Sequence, residues 1–419
     1  MDSYVIRGGV KLHGSVKISG SKNATLPILA ACLLSQDKVE IRNIPQINDV
    51  KILLNLMKGT GAGIKFEEGR AEVDLPDIRD ITLNEHAQKI RASILLAGPI
   101  LSRGGSIRLR MPGGCNFGTR KIDFHLEGLK SLGAKISING SVLDLKSDGL
   151  KGAQINLKFP SVGATENLIM ASVLADGETR INNCSIEPEA ISLELFLSRL
   201  GAQIEGIGTK NLVITGVDTL RKSVVYDVPP DRIEAGTFIV ATGITGGCCR
   251  IVNCTKKDIQ DMVPPLLDVG FSLEEKNDRT IEASIDDRLN SVDVITNPYP
   301  GFPTDMQPII TTLLCLAHGR STVTENIYEN RFQYVEELKK FGAKILISKN
   351  KLFIDGINEL TPSVAAAMDL RGGVAVTLAG LTASGKTIVN DIHHIDRGYD
   401  TFEQKLARLG ADITRISST

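Results

Sequence analysis

Six times along this chain an apolar helical stretch runs into a glycine and then a short strand. The phrase reads "KGTGAGIKF" at Gly61, "LKSLGAKISI" at Gly133, "LSRLGAQIEGI" at Gly201, "LLDVGFSLEE" at Gly270, "LKKFGAKILI" at Gly342 and "LARLGADITRI" at Gly410. The intervals between these glycines are 72, 68, 69, 72 and 68 residues, and Gly61 to Gly270, Gly133 to Gly342 and Gly201 to Gly410 are each 209 apart. A chain of 419 residues is therefore two halves of three repeats. Each repeat opens with an apolar helix, such as "LPILAACLLS" or "TFIVATGI", and turns into a short strand such as "KVEIRN" or "CRIVN". A loop, an amphipathic helix ending at the glycine, and further strands follow. The first helix is apolar nearly all round, so it is expected to be buried, while the second lies against sheets. The glycine fits a left-handed helix cap. Three such units around their buried helices make one domain, and two domains make the chain.

Composition narrows the function. Hydrophobic residues make up 42% and charged residues 23%, with a net charge of −1 and scattered basic residues, which argues against a nucleic-acid or membrane-surface partner. The opening "MDSYVIRGGV" lacks the apolar core of a signal peptide, and the longest apolar runs are too short to span a bilayer. Seven cysteines, an odd number, imply reduced thiols and a cytoplasmic location. Cys248, Cys249 and Cys254 cluster without a CxxC pair or a nearby histidine, and read as buried small hydrophobes rather than a metal site. No metal is expected.

"GLTASGKT", Gly380–Thr387, matches the phosphate-binding P-loop letter for letter. That loop needs a strand before it and a helix after it. Here the order is reversed, and "LADGETRINN" and "LAHGRSTVTEN" hold the same place in other repeats. It reads as a turn.

One loop breaks the pattern. From the end of the short strand to the glycine, five repeats take 18, 18, 17, 16 and 19 residues, but the second takes 22, from Met111 to Gly133. The extra residues belong to "PGGCNFGTRKIDFH", an insertion into a regular scaffold, where function concentrates more than packing. Gly113, Gly114 and Gly118 let the backbone bend and approach a ligand. Two readings stand for Cys115: a reactive thiol whose thiolate Arg120 favours, or an exposed inert one.

The helix starts carry a second signal. Lys22, Arg91 and Arg371 stand at or just before openings of apolar helices, where a cation opposes the dipole and asks for an anionic ligand. Arg120, Arg331 and Arg397 add cations in the loops after strands. Together they suggest a polyanion held between the halves. The plainer reading is that several pair with carboxylates such as Asp369 and Asp396. Asp231 and Asp305 open helices in the fourth and fifth repeats, where capping is the default. Asp305 would also face the cation-rich half across a cleft and could act as a base. His125, His393 and His394 are the histidines nearest these features.

Taken together, "GSKNATLPIL", "IRAS", "PGGCNFGTRKID", "SVGATEN", "PDRIEAGTF", "FPTDMQ", "ENRF", "DLRGG" and "HIDRGYD" resemble the UDP-N-acetylglucosamine enolpyruvyl transferase family over essentially the whole chain. The cysteine loop separates that family from the shikimate-type enolpyruvyl transferases. The resemblance implies an α/β fold: a two-domain inside-out α/β barrel of six repeats of about 70 residues, with buried helices and outer sheets. It implies transfer of the enolpyruvyl group of phosphoenolpyruvate to the 3′-hydroxyl of UDP-N-acetylglucosamine, with release of phosphate and no cofactor, at the first committed step of peptidoglycan precursor synthesis. Cys115 then protonates phosphoenolpyruvate and is the fosfomycin target, Asp305 is the base for the sugar hydroxyl, and Lys22, Arg120, Arg331 and Arg397 handle phosphate and carboxylate. Asn23, Arg91, Lys121, Ile122, Asp123, Phe124, Ser161, Val162, Gly163, Asp231, Ile327, Asp369 and Arg371 fall at substrate-contacting positions or beside them. The chain departs from the pattern at Phe159, where some members have lysine and this chain has Lys158 one place earlier, and at Lys121, often proline. The repeat places the domains at 22–229 and at 1–21 with 230–419, the chain crossing near Gly20 and Pro229–Pro230. A monomer is favoured.

Overall fold

The computed structural model describes residues 2–74, 80–113, 122–277, 279–285 and 288–417. The six apolar stretches form the helices α1 (Lys22–Ala31), α2 (Ala97–Ser102), α3 (Val162–Ser172), α4 (Arg232–Ile244), α5 (Gln307–Leu314) and α6 (Leu370–Thr382). Every residue of α4 is buried, and α6 is buried from Leu370 to Leu381. Threonines survive in this dry setting by bonding their own helix: the Thr237 hydroxyl donates to Ile233 O at 2.7 Å and that of Thr377 to Gly373 O at 2.8 Å. The second repeat departs from a regular α-helix, because Arg91–Leu96 winds as a tighter 3-10 helix before α2. Pro99, the third residue of α2, offers no N–H to the carbonyl four residues back, within that 3-10 stretch.

Among the described residues the strands form six four-stranded sheets against these helices. The strand after each core helix (Val39–Arg42, Ser106–Arg110, Glu178–Asn182, Cys248–Val252, Arg320–Thr324 and Gly385–Asn390) pairs on one side with a parallel edge strand. On the other side it pairs antiparallel. Val224–Asp227, from the end of the third repeat, supplies the edge for the first. The N-terminal strands serve the second half: His13–Lys17 lies parallel to Cys248–Val252, and Ser3–Gly8 sits between Gly385–Asn390 and Asp412–Ile416. Alternate residues point inward, so Cys249 and Ile251 are buried while Cys248 is exposed. That corrects the reading of Cys248 as a buried hydrophobe: the two-residue period of its strand turns it outward.

By contacts the described residues divide into two units, one of residues 20–113 and 122–229, the other of 2–19 and 230–417. Each has its own apolar core, with Leu29, Leu168 and Phe196 in the first and Phe238, Ile310 and Phe402 in the second.

All six repeat glycines have positive φ, from 85° at Gly342 to 114° at Gly270. At Gly133 a Cβ would meet nothing within 4 Å, so the backbone conformation alone demands glycine there. The P-loop lookalike is a turn: α6 ends at Thr382, and the strand beginning at Gly385 (φ 132°) follows.

Gly98 is required for a different reason. Its N–H donates to Asn167 Oδ1 at 2.8 Å, and a Cβ would lie 2.5 Å from the Asn167 carbonyl oxygen. Gly98→Ala is expected to overpack the α2–α3 contact and cost about 1–3 kcal/mol. Gly133→Ala should cost about 1 kcal/mol from conformation alone. Urea melts of the two variants, followed through the unit that contains them, check the difference.

Candidate active site

The charged groups of the site gather at the ends of the core helices. Four starts are capped by side chains. Ser21 accepts from Ala24 N at 3.3 Å and Ser161 from Ala164 N at 3.4 Å. The Asp231 carboxylate accepts from Ile233 N at 2.9 Å and Glu234 N at 3.0 Å, and that of Asp369 from Arg371 N at 2.9 Å and Gly372 N at 3.0 Å. In this structure Asp231 and Asp369 thus do the capping that is the default for their positions.

In the first unit, Lys22 opens α1 directly after Ser21, with Asn23 beside it. Its ammonium pairs with Asp49 at 2.9 Å, and both side chains are largely buried. Asp49 lies in the first turn of the helix Asn48–Lys58, where a carboxylate reads as an ordinary dipole partner, so sequence reasoning passed over it. Ile122 precedes the helix Asp123–Ser131, so Asp123 and Phe124 stand in its first turn. Two residues on, His125 is buried: its Nδ1 lies 3.1 Å from the Asn167 amide nitrogen. Asn167 Oδ1 is committed to Gly98 N and its amide also donates to Ile94 O at 3.2 Å. An amide nitrogen can only donate, so Nδ1 accepts and the His125 proton resides on Nε2. A Cβ at Gly163 would come 3.4 Å from that Nε2, so the ring lies against the start of α3, beside Ser161 and Val162. Burial, and then the positive Arg91, push the His125 pKa down to about 3. Lys158 ion-pairs with Glu127 of the same helix at 3.7 Å, and both are exposed. Cys115, Arg120 and Lys121, with Gly114 and Gly118, lie outside the described residues.

The second unit holds a tighter cluster. Asp305 sits in the 3-10 turn Thr304–Met306 that leads into α5. Its two oxygens are taken by different guanidiniums, Arg331 at 2.9 Å and Arg371 at 2.9 Å, both almost fully buried. Arg371 also lies over the Tyr399 ring at 5.2 Å and Arg331 over Tyr328 at 5.4 Å. Burial alone would raise the Asp305 pKa; Arg371 and Arg331 overcome it and hold the carboxyl well below its usual range. Several of the cations do pair with carboxylates, but Asp369, one of those expected to serve, is spent on the amides of its own helix start while Arg371 reaches Asp305. Asp396, likewise, pairs with Arg415 at 3.0 Å and 2.5 Å, not with its neighbour in sequence, Arg397. Arg397 ends the turn Ile392–Arg397, where the His393 and His394 rings lie tilted by 36° with centroids 4.1 Å apart. Ile327 follows the strand Arg320–Thr324, half-buried.

Helices enclosed by small sheets are the architecture of the inside-out α/β class, and cations at helix starts with a carboxylate held between two arginines are groups suited to anions. A family model described as "EPSP synthase (3-phosphoshikimate 1-carboxyvinyltransferase)" matches residues 6–406. The enolpyruvyl transferase NikO from Streptomyces tendae has the same fold at a TM-score of 0.90 and 25% identity, covering 100% of this chain and 99% of that one. EPSP synthase from Acinetobacter baumannii shares the fold at 0.76 and 17% identity, with full coverage of both chains. UDP-N-acetylglucosamine 1-carboxyvinyltransferase 2 of Carboxydothermus hydrogenoformans is 44% identical over 100% of both chains. UDP-N-acetylglucosamine 1-carboxyvinyltransferase 1 of Clostridium acetobutylicum is 45% identical over 99% of this chain and 100% of its own. The chain belongs to the enolpyruvyl (1-carboxyvinyl) transferase family, and within it to the group of these UDP-N-acetylglucosamine 1-carboxyvinyltransferases. Among the described residues no helix is long and apolar enough to cross a membrane, and no three His, Cys, Asp or Glu side chains are grouped to hold a metal ion.

Two outcomes follow. Asp305→Asn leaves two buried guanidiniums without their counter-charge and should cost about 2–4 kcal/mol at neutral pH. Because the folded pKa is depressed, the wild-type advantage is complete above the ordinary carboxylate range and is lost progressively as pH falls from there toward the lower folded value. Chemical denaturation of both proteins from pH 7 into acid checks this. His125, with its folded pKa near 3, should show no imidazole titration between pH 5 and 8 by NMR. Its contribution to stability is full above the unfolded histidine pKa of about 6.5 and is lost as pH falls from there toward 3.

Proposed function

We propose that this protein transfers the enolpyruvyl group of phosphoenolpyruvate to the 3′-hydroxyl of UDP-N-acetylglucosamine and releases phosphate, the first committed step of peptidoglycan precursor synthesis. The observation that carries the reading is Asp305, held ionised by Arg331 and Arg371 in a chain 44% identical over its whole length to an enzyme named for that reaction.

Addition joins the sugar oxygen to C2 of phosphoenolpyruvate while C3 gains a proton, giving a tetrahedral ketal phosphate; elimination then breaks the C2–O bond to phosphate and removes a proton from C3. Addition needs a base at the hydroxyl and an acid at the methylene carbon. Asp305 takes the hydroxyl proton and Cys115 delivers a proton to C3. The two guanidiniums that now hold Asp305 are also ligands for anions. A substrate anion that engages them loosens their hold and makes the carboxylate a stronger base, so basicity arises with substrate bound. Lys22, fixed by Asp49, supplies a charge for the phosphate through both steps, together with Arg120, Arg331 and Arg397. Arg371 orients the base, and Asp369 and Asp231 hold the helix starts beside it.

The nucleotide sugar is read by Asn23, Arg91, the stretch Arg120–Phe124 with Lys121, Ile122 and Asp123, and Ile327. Ser161, Val162 and Gly163 open α3 with a neutral cap, leaving the helix dipole free for the diphosphate. Lys158 is engaged by Glu127 on the surface, so Lys121 is the better candidate to replace the lysine missing at Phe159. Free cysteines among the described residues fit an enzyme of the cytoplasm.

The matching family model is described by the shikimate-type reaction, so the test offers both acceptors. Phosphate release from phosphoenolpyruvate should occur with UDP-N-acetylglucosamine and not with shikimate 3-phosphate. Cys115→Ala should nearly abolish turnover near neutral pH while calorimetry still detects the nucleotide sugar. Release with the shikimate ester alone would overturn the assignment.

A further inference from the structure

Glu325 is nearly fully buried, with only 3% of its surface exposed, and takes no part in the chemistry described above. Its backbone is pinned from both directions. Its N–H donates to Asn350 O at 2.8 Å, the Asn350 amide returns to its carbonyl at 3.2 Å, and the next residue's N–H donates to Thr296 Oγ1 at 3.0 Å. From this fixed base the side chain bridges two segments. Oε1 accepts from Ile327 N at 2.8 Å and Tyr328 N at 3.1 Å, while Oε2 accepts from the Thr304 hydroxyl at 2.9 Å. Thr304 is the first residue of the turn that carries Asp305. Tyr328 lies under Arg331, which returns to Asp305 at 2.9 Å. The contacts close a ring: Glu325 to Thr304, along the chain to Asp305, across to Arg331 and Tyr328, and back to Glu325.

We infer that Glu325 is a positioning residue that sets two elements of the reaction at once: the turn that aims Asp305, and the backbone of Ile327 that meets the nucleotide sugar. The inference rests on the function proposed above. Only a carboxylate or a carboxamide can serve both directions. A carboxamide oxygen still accepts from the two N–H groups, and its nitrogen donates to the Thr304 hydroxyl, which has lone pairs to receive it. Loss of the side chain leaves two half-buried backbone N–H groups and a half-buried hydroxyl without their acceptor and lets both segments drift.

The test compares wild type, Glu325→Ala, Glu325→Gln and Thr304→Val for kcat, KM for UDP-N-acetylglucosamine, thermal midpoint, and amide hydrogen exchange at Ile327 and Tyr328. Glu325→Ala should lower kcat at least about tenfold, raise KM several-fold, and speed exchange at both amides. Glu325→Gln should stay within about threefold of wild type in all three, because its hydrogen bonds persist. Thr304→Val cuts only the arm toward Asp305, so kcat should fall while KM and the two amides stay as they were. If Glu325→Ala melts too low to assay, the glutamine and valine variants still decide. A kcat and KM of Glu325→Ala equal to wild type, or a glutamine variant as damaged as alanine, would overturn the inference. Wild type that releases no phosphate would instead overturn the proposed function. The amide exchange, which needs no turnover, would then still read the positioning role: no difference between wild type and Glu325→Ala would sink it.

Discussion

A helix that is apolar on every side can meet polar chemistry only at its ends. That constraint organises this protein. Its six core helices are enclosed by sheets and by one another, so main-chain N–H groups of their first turns are the polar groups that must find partners from outside the helix. Ser21, Ser161, Asp231 and Asp369 provide them. The residues assigned to chemistry stand at or next to the same places: Lys22 and Asn23 at α1, Ser161–Gly163 at α3, Asp305 before α5, Arg371 at α6. Packing demands that the middle of each helix be greasy, and the same demand pushes function to its start.

The two units meet that demand with opposite charge. In the first, the caps of α1 and α3 are neutral serines and Lys22 adds a cation, so these helix ends remain attractive to anions. In the second, Asp231 and Asp369 neutralise the dipoles of α4 and α6. The head of α5 has no side-chain cap; a 3-10 turn takes its place and releases Asp305 from capping duty. Freed from the helix amides, the carboxylate is available to Arg331 and Arg371. The bond each aspartate makes explains why three acidic residues at equivalent starts do not share one role: two are spent on backbone N–H groups and one on guanidiniums.

The sixfold period made the fold legible, because Gly61, Gly133, Gly201, Gly270, Gly342 and Gly410 all need a backbone conformation that other residues resist. Boundaries were less legible where the pattern is broken, as in the 3-10 stretch ahead of α2. The site was legible as a set of charges but not as a set of pairs. Distance along the chain says nothing about which carboxylate a long arginine reaches, hence Asp305 rather than Asp369 for Arg371, and Arg415 rather than Arg397 for Asp396. Asp49 and Glu325 carried no signal, and Asn167 stood only as the last letter of "SVGATEN". Each is an ordinary residue type in an ordinary helix or strand end, and becomes specific only when folding brings Lys22, His125 or Thr304 against it.

The scaffold's own regularity shows where it was set aside. After the first strand of a repeat, Asn43, Asn183, Asn253 and Asp391 adopt positive φ between 58° and 67°, and the three asparagine side chains each donate to a carbonyl at the end of the neighbouring edge strand: Val228, Leu157 and Ile18. That left-handed residue turns the chain at once toward its second helix. Met111 and Glu325 follow the corresponding strands of the second and fifth repeats, and neither takes that conformation. After Met111 comes the glycine-rich segment with Cys115; after Glu325 come Ile327 and Tyr328, whose backbone N–H groups its own carboxylate holds. Four repeats spend this turn on closing the scaffold. In the fifth, where the turn is not spent that way, a single buried carboxylate holds the backbone that follows.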